Sequence, residues 1–70
     1  MESYPKITLE AARVNAHMTQ EAAAKELGLS VRTLANYEKG VTSPTFALLG
    51  KISKLYNFPL DYILLPDVSV

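Results

Sequence analysis

A single histidine, His17, and no cysteine leave this 70-residue chain without a metal-ligand set or a thiol nucleophile. Hydroxyls and carboxylates are present, but no local motif sets a nucleophile beside its base. The three glycines are isolated, so no loop cradles a phosphate. The chain is read as a non-enzyme with no cofactor, no metal and no small-molecule site. What remains is charge chemistry. Net charge is zero, yet residues 30–54 carry Arg32, Lys39, Lys51 and Lys54 against Glu38 alone, a net +3. The flanking segments are acidic. Of these bases, Lys51 and Lys54 read as ordinary solvent-facing lysines.

These side chains need elements to hold them, and the punctuation is helical throughout. The pattern Leu9, Ala12, Arg13, Ala16 predicts a first helix over about 8–16. Thr19 is an N-cap, Glu21 puts negative charge in the first turn, and the helix-forming run to Leu27 ends at Gly28. Ser30 caps a third helix, which runs to about Glu38 and stops at Gly40. Pro44 sits in a loop. A fourth helix over 45–56 places Phe46, Leu49, Ile52 and Tyr56 on one face, with Asn57 as a left-handed stop. Pro59 then starts a short fifth helix ending near Leu64. The arm around Pro5 reads as extended or irregular, the tail from Pro66 to Val70 reads as irregular, and no strand alternation recurs.

The chain is therefore expected to form one all-α domain, with its core in 7–64. With 49% apolar residues it has enough for one small core. No apolar run reaches membrane-spanning length, and residues 1–7 lack the apolar region of a signal peptide, so a cytoplasmic protein is expected.

The informative segment is Thr19 to Gly40. Two short helices meet across Gly28-Leu29-Ser30, the geometry of a helix-turn-helix. Gly28 provides the tight turn, Leu29 plugs it from beneath, and Ala23 or Ala24 lets the helices cross closely. The third helix then fits a major groove, with its N-terminal residues at the base edges.

This segment resembles the Cro and phage-repressor type of helix-turn-helix protein, the XRE family. The likeness covers about 7–64. Arg13, Thr19-Gln20-Glu21, Ala24, Gly28, Ser30, Leu34, Tyr37-Glu38-Lys39-Gly40, Pro44 and Leu60-Asp61 carry it. The resemblance implies a compact five-helix, lambda-repressor-like fold and a sequence-specific transcriptional regulator, typically a repressor, that binds double-stranded DNA as a homodimer. Val31, Arg32 and Asn36 match the family's base-reading positions. Arg32 suits guanine O6 and N7, Asn36 suits adenine, and Val31 suits a thymine methyl. Gln20 matches a glutamine that contacts phosphate and braces the recognition helix, while Thr33 and Lys39 match backbone-contacting positions. The sequence departs from the pattern at His17, where glycine is common, and at Ala23 and Gly50, where larger aliphatics are usual.

Arg13 lies on the inner side of the first helix and Glu38 beside the core residue Tyr37. A buried charge needs a partner, so the two are expected to form a largely buried, bidentate ion pair, as the resemblance also implies. A two-fold dimer is expected to join the third-to-fourth-helix loop with the C-terminal region, using Tyr62, Leu65, Val68 and Val70. The competing reading is a protein-interaction module, an antitoxin or adaptor, that keeps the fold with little DNA binding. Zero net charge and the uncharged loop Val41-Thr42-Ser43 favour it.

Overall fold

A computed structural model of the chain describes residues 6–65. Their order is β1 (Ile7–Thr8), α1 (Leu9–Asn15), α2 (Gln20–Leu27), α3 (Val31–Lys39), α4 (Phe46–Tyr56), a 3-10 turn (Leu60–Tyr62) and β2 (Ile63–Leu64). Every α-helix starts at a hydroxyl. The side chains of Thr8, Thr19, Ser30 and Thr45 accept from the backbone amides of Ala11, Ala22, Thr33 and Leu48 at 3.0, 3.0, 3.1 and 3.1 Å. Each cap satisfies one amide that the first helical turn leaves without a partner. Helices α2, α3 and α4 end at Gly28, Gly40 and Asn57, all left-handed.

The core is shared among all four helices. Leu9 and Ala12 come from α1, Ala23, Ala24 and Leu27 from α2, Leu34 from α3, and Leu49, Ile52 and Tyr56 from α4. Phe58 packs beneath them. Ala23 and Ala24 are fully enclosed, which is what allows α2 to pack closely on its neighbours. Leu29 packs half-buried against the same cluster, under the α2–α3 turn. Gly50 faces open space: beyond its own stretch of helix, a Cβ there meets no atom of the described residues within 4 Å.

Three expectations are corrected. The fifth helix expected from Pro59 to about Leu64 is one 3-10 turn, after which the chain extends. Six residues are too few to meet the cost of nucleating an α-helix. Extended backbone finds partners instead, because β2 pairs in parallel with β1, Ile7 opposite Ile63 and Thr8 opposite Leu64. A two-stranded sheet thus stands where none was expected, and Ile7 and Thr8 form one of its strands. The third correction is Phe46, which shares its helical spacing with Leu49, Ile52 and Tyr56 yet is 81% exposed. It is the first residue of α4, and helical side chains lean toward the N-terminus, so its ring projects past the end of the core. Pro5, Pro66, Val68 and Val70 lie outside the described residues. No helix among the described residues is long and apolar enough to cross a membrane.

Candidate nucleic-acid interface

The α2–turn–α3 unit is fixed mainly by backbone chemistry. Gly28 takes φ 72°, which brings the Leu29 amide onto the Ala24 carbonyl at 2.8 Å. Ser30 follows at once with extended geometry and opens α3. Its Oγ accepts the Thr33 amide at 3.1 Å and donates to Thr33 Oγ1 at 2.9 Å. At the other end, Gly40 takes φ 82° and the Val41 amide closes on the Asn36 carbonyl at 2.9 Å. Leu34, fully buried, pins the inner face of α3 to the core.

The outer side of α3 is what this anchoring leaves available. Val31, Arg32 and Lys39 are exposed, and Thr33 and Asn36 are half-buried. Arg32 and Asn36, four residues apart, are neighbours on one face of the helix. Val31 is 38% exposed, an apolar side chain at the first helical position. Lys51 and Lys54 are exposed on α4, apart from this helix. No group of three His, Cys, Asp or Glu residues able to hold a metal occurs among the described residues.

Arg13, Glu38 and Gln20 meet in one cluster behind this face. Arg13 Nε donates to Glu38 Oε2 at 2.8 Å, and Nη2 donates to Oε1 at 3.3 Å. The two side chains are 10% and 4% exposed. Arg13 Nη1 donates to the Met18 carbonyl at 2.9 Å, and Gln20 Nε2 donates to Glu38 Oε1 at 2.9 Å. Hydrogen bonding to Glu38 holds the Arg13 pKa above its ordinary value, outweighing the opposing effect of burial. The cluster therefore ties α1, α2 and α3 together through one carboxylate.

The resemblance implies that Gln20 braces α3, but its partner was not legible in the sequence, and neither was the Met18 contact. The Gln20–Glu38 bond spans eighteen residues and has no periodic signature. The Met18 carbonyl reaches Arg13 because His17 takes a left-handed φ of 60° and turns the chain directly after α1. The departure from glycine at His17 was legible, but not its consequence for Arg13. Tyr56 of α4 is a third unforeseen neighbour. Its hydroxyl is buried without a hydrogen-bond partner among the described residues, and its pKa is pushed up to about 12, first by burial and then by the negative charge of Glu38, with Arg13 opposing.

A helix-turn-helix family model matches residues 9–63, which is most of the chain and contains the whole constellation just described. The chain belongs to the helix-turn-helix family. Members of this family are DNA-binding transcriptional regulators. Among curated proteins, this helix-turn-helix chain is 41% identical over 59 residues to the HTH-type transcriptional regulator ImmR of Bacillus subtilis, a match covering 84% of this chain and 46% of that protein. It is 34% identical over 55 residues to an uncharacterized HTH-type transcriptional regulator of Archaeoglobus fulgidus, covering 79% of this chain and 78% of the relative. The chain thus spans about half the length of the Bacillus relative. No solved structure gave a significant match.

Proposed function

We propose that this helix-turn-helix chain is a sequence-specific, cytoplasmic repressor that reads the major groove of double-stranded DNA with α3. Arg32 donates to guanine O6 and N7, Asn36 pairs with adenine, and Val31 meets a thymine methyl. Gln20, Thr33 and Lys39 hold the sugar–phosphate backbone. Support for Thr33 comes from its local bonding: its oxygen already accepts from Ser30, so its own proton is available to a phosphate. The observation that carries the reading is the recognition face itself. An arginine and an asparagine share one side of a helix whose other side is locked to the core by Leu34 and to α1 and α2 by Glu38. One such helix reads too few base pairs to select a site in a genome, so the chain acts as a two-fold homodimer on a near-palindrome with half-sites about one helical turn apart.

Selection of bound duplexes from a random DNA library tests this reading and gives the site. Arg32→Ala and Asn36→Ala are then expected to cost about 1–3 kcal/mol on the selected site and to relax its sequence preference, with a smaller effect on mixed-sequence DNA. Both variants footprinting the same site at unchanged affinity rejects the assignment.

One observation favours a second reading, a protein-interaction module. Val41, in the uncharged 41–43 loop, and Phe46, the first residue of α4, expose apolar surface, at 59% and 81% exposure. Mobility shift with mixed-sequence DNA separates the two readings. A DNA reader shifts the duplex and loses affinity steeply as salt rises, whereas an interaction module does not shift it.

A further inference from the structure

Helix α4 carries three features that its packing on the core does not explain, and they fall on one line. Phe46, Gly50, Ser53 and Asn57 follow one another at steps of four, three and four residues, a single stripe along an α-helix. The stripe runs beside the buried face made by Leu49, Ile52 and Tyr56. At its N-terminal end Phe46 is 81% exposed. At its middle, Gly50 stands in the helix interior, where glycine is less favourable than alanine, with open space before it. At its C-terminal end lies a cleft of about 310 Å³, lined by Ser53, Lys54, Asn57, Phe58 and Pro59. The chain reversal after α4 fixes the cleft's shape. Ser53 Oγ donates to the Phe58 carbonyl at 2.7 Å, and the Phe58 amide donates to the Ser53 carbonyl at 3.1 Å. Phe58 and Pro59 make the cleft apolar, and Lys54 brings a cation to it, a setting that suits an aromatic ring.

We infer that this stripe is a contact face between two copies of the chain: two α4 helices cross antiparallel at Gly50, and Phe46 of each copy enters the Ser53–Pro59 cleft of the other. The inference gives a contact face to the two-fold homodimer proposed above and rests on it. It is a different face from the loop and C-terminal region expected from the sequence. Two-fold symmetry requires that a surface complement itself. A ring four residues before Gly50 and a cleft starting three residues after it meet that requirement when α4 lies against its own copy in reverse. Helical side chains lean toward the N-terminus, which carries the Phe46 ring onward to the cleft. Gly50 lets the two backbones approach at the crossing. Reversal also sets the positive end of each α4 beside the negative end of the other. A buried phenylalanine removes roughly 150–250 Å² from water, so two rings and the walls they cover bury about 600–1,000 Å² in all. Stable interfaces start near roughly 1,200 Å², so the pair is weak in dilute solution and closes where copies are concentrated, as on neighbouring half-sites.

The chain has no cysteine, so one introduced thiol reports one position. With oxidised glutathione, Gly50→Cys is expected to form an intermolecular disulfide, because residue 50 meets its own copy on the two-fold axis. Lys25→Cys, exposed on α2, is expected to stay monomeric. Phe46→Asp places an acid in the first turn of α4, which suits the helix, and its melt is expected to match the parent. Added to Gly50→Cys, it is expected to slow cross-linking to the Lys25→Cys level. Sedimentation at rising concentration is expected to show monomer–dimer exchange in the wild type, weakened roughly tenfold or more by Phe46→Asp, the scale for losing a central interface aromatic. Cross-linking at residue 50 no faster than at residue 25, or unaffected by Phe46→Asp, overturns the inference. A wild-type dimer that survives Phe46→Asp removes this face and leaves the homodimer standing. A wild type that stays monomeric throughout and footprints an asymmetric site removes the homodimer as well.

Discussion

Truncating Arg13 to alanine is expected to unfold most of what holds α3 in place. The magnitude follows from what is left behind. Arg13 supplies two of the three donors to Glu38, at 2.8 and 3.3 Å, and its loss leaves a carboxylate that is 4% exposed with Gln20 Nε2 as its remaining side-chain donor in the cluster. Removing one partner of a buried pair costs roughly 3–5 kcal/mol, because the survivor stays desolvated and charged. The Met18 carbonyl loses its guanidinium donor as well. At about 0.05–0.15 kcal/mol per residue, a 70-residue domain has a total stability of roughly 4–10 kcal/mol, so the loss is a large share of it. For a domain of this size each kcal/mol moves Tm by about 4–8 °C, which puts the expected fall at roughly 12–40 °C. Thermal melts followed by far-ultraviolet circular dichroism measure it directly. Glu38→Ala is expected to cost a similar amount, whereas Arg13→Met with Glu38→Leu, which removes both charges, is expected to melt near the parent. DNA binding of the single variants fails as a consequence of unfolding and recovers on cooling below the new Tm. Single variants that melt within a degree or two of the parent refute the argument, and so does a double variant no better than either single.

Tyr56→Phe removes a buried hydroxyl that has no partner among the described residues, so its Tm is expected to stay level or rise. The folded pKa of Tyr56, about 12, lies above the ordinary 10, so its contribution to stability is complete below about pH 10 and is lost as pH rises toward 12. Alkaline melts of the phenylalanine variant are therefore expected to fall less steeply over that window, and parallel curves count against the assignment. Gly50→Ala places a methyl group in open space in the interior of α4 and is expected to stabilise by about 0.5–1 kcal/mol, read from denaturant midpoints at unchanged slope. A lowered midpoint means that the space is not free.

The sequence by itself determined the local geometry. Hydroxyls at Thr19 and Ser30, glycines at Gly28 and Gly40, and Asn57 mark where helices start and stop, because capping and left-handed turns are decided by neighbours within four residues. Those same short-range rules put Arg32 and Asn36 on one face. Burial of Arg13 beside a carboxylate was legible too, since a charge on an apolar stripe demands a partner. Tertiary structure decided everything that depends on what lies across a gap. The segment after Pro59 has weak preferences of its own, and only the backbone of Ile7 and Thr8 alongside it makes an extended strand the better outcome. Phe46 has the spacing of a core residue, but spacing says nothing about where the core ends along the helix axis. Gln20 and Tyr56 gather around the Arg13–Glu38 pair for the same reason, while the Met18 carbonyl, five residues from Arg13, reaches it through the left-handed turn at His17. A hydrogen bond or a field between residues eighteen or more positions apart leaves no periodic trace in the chain and exists only once the helices have packed.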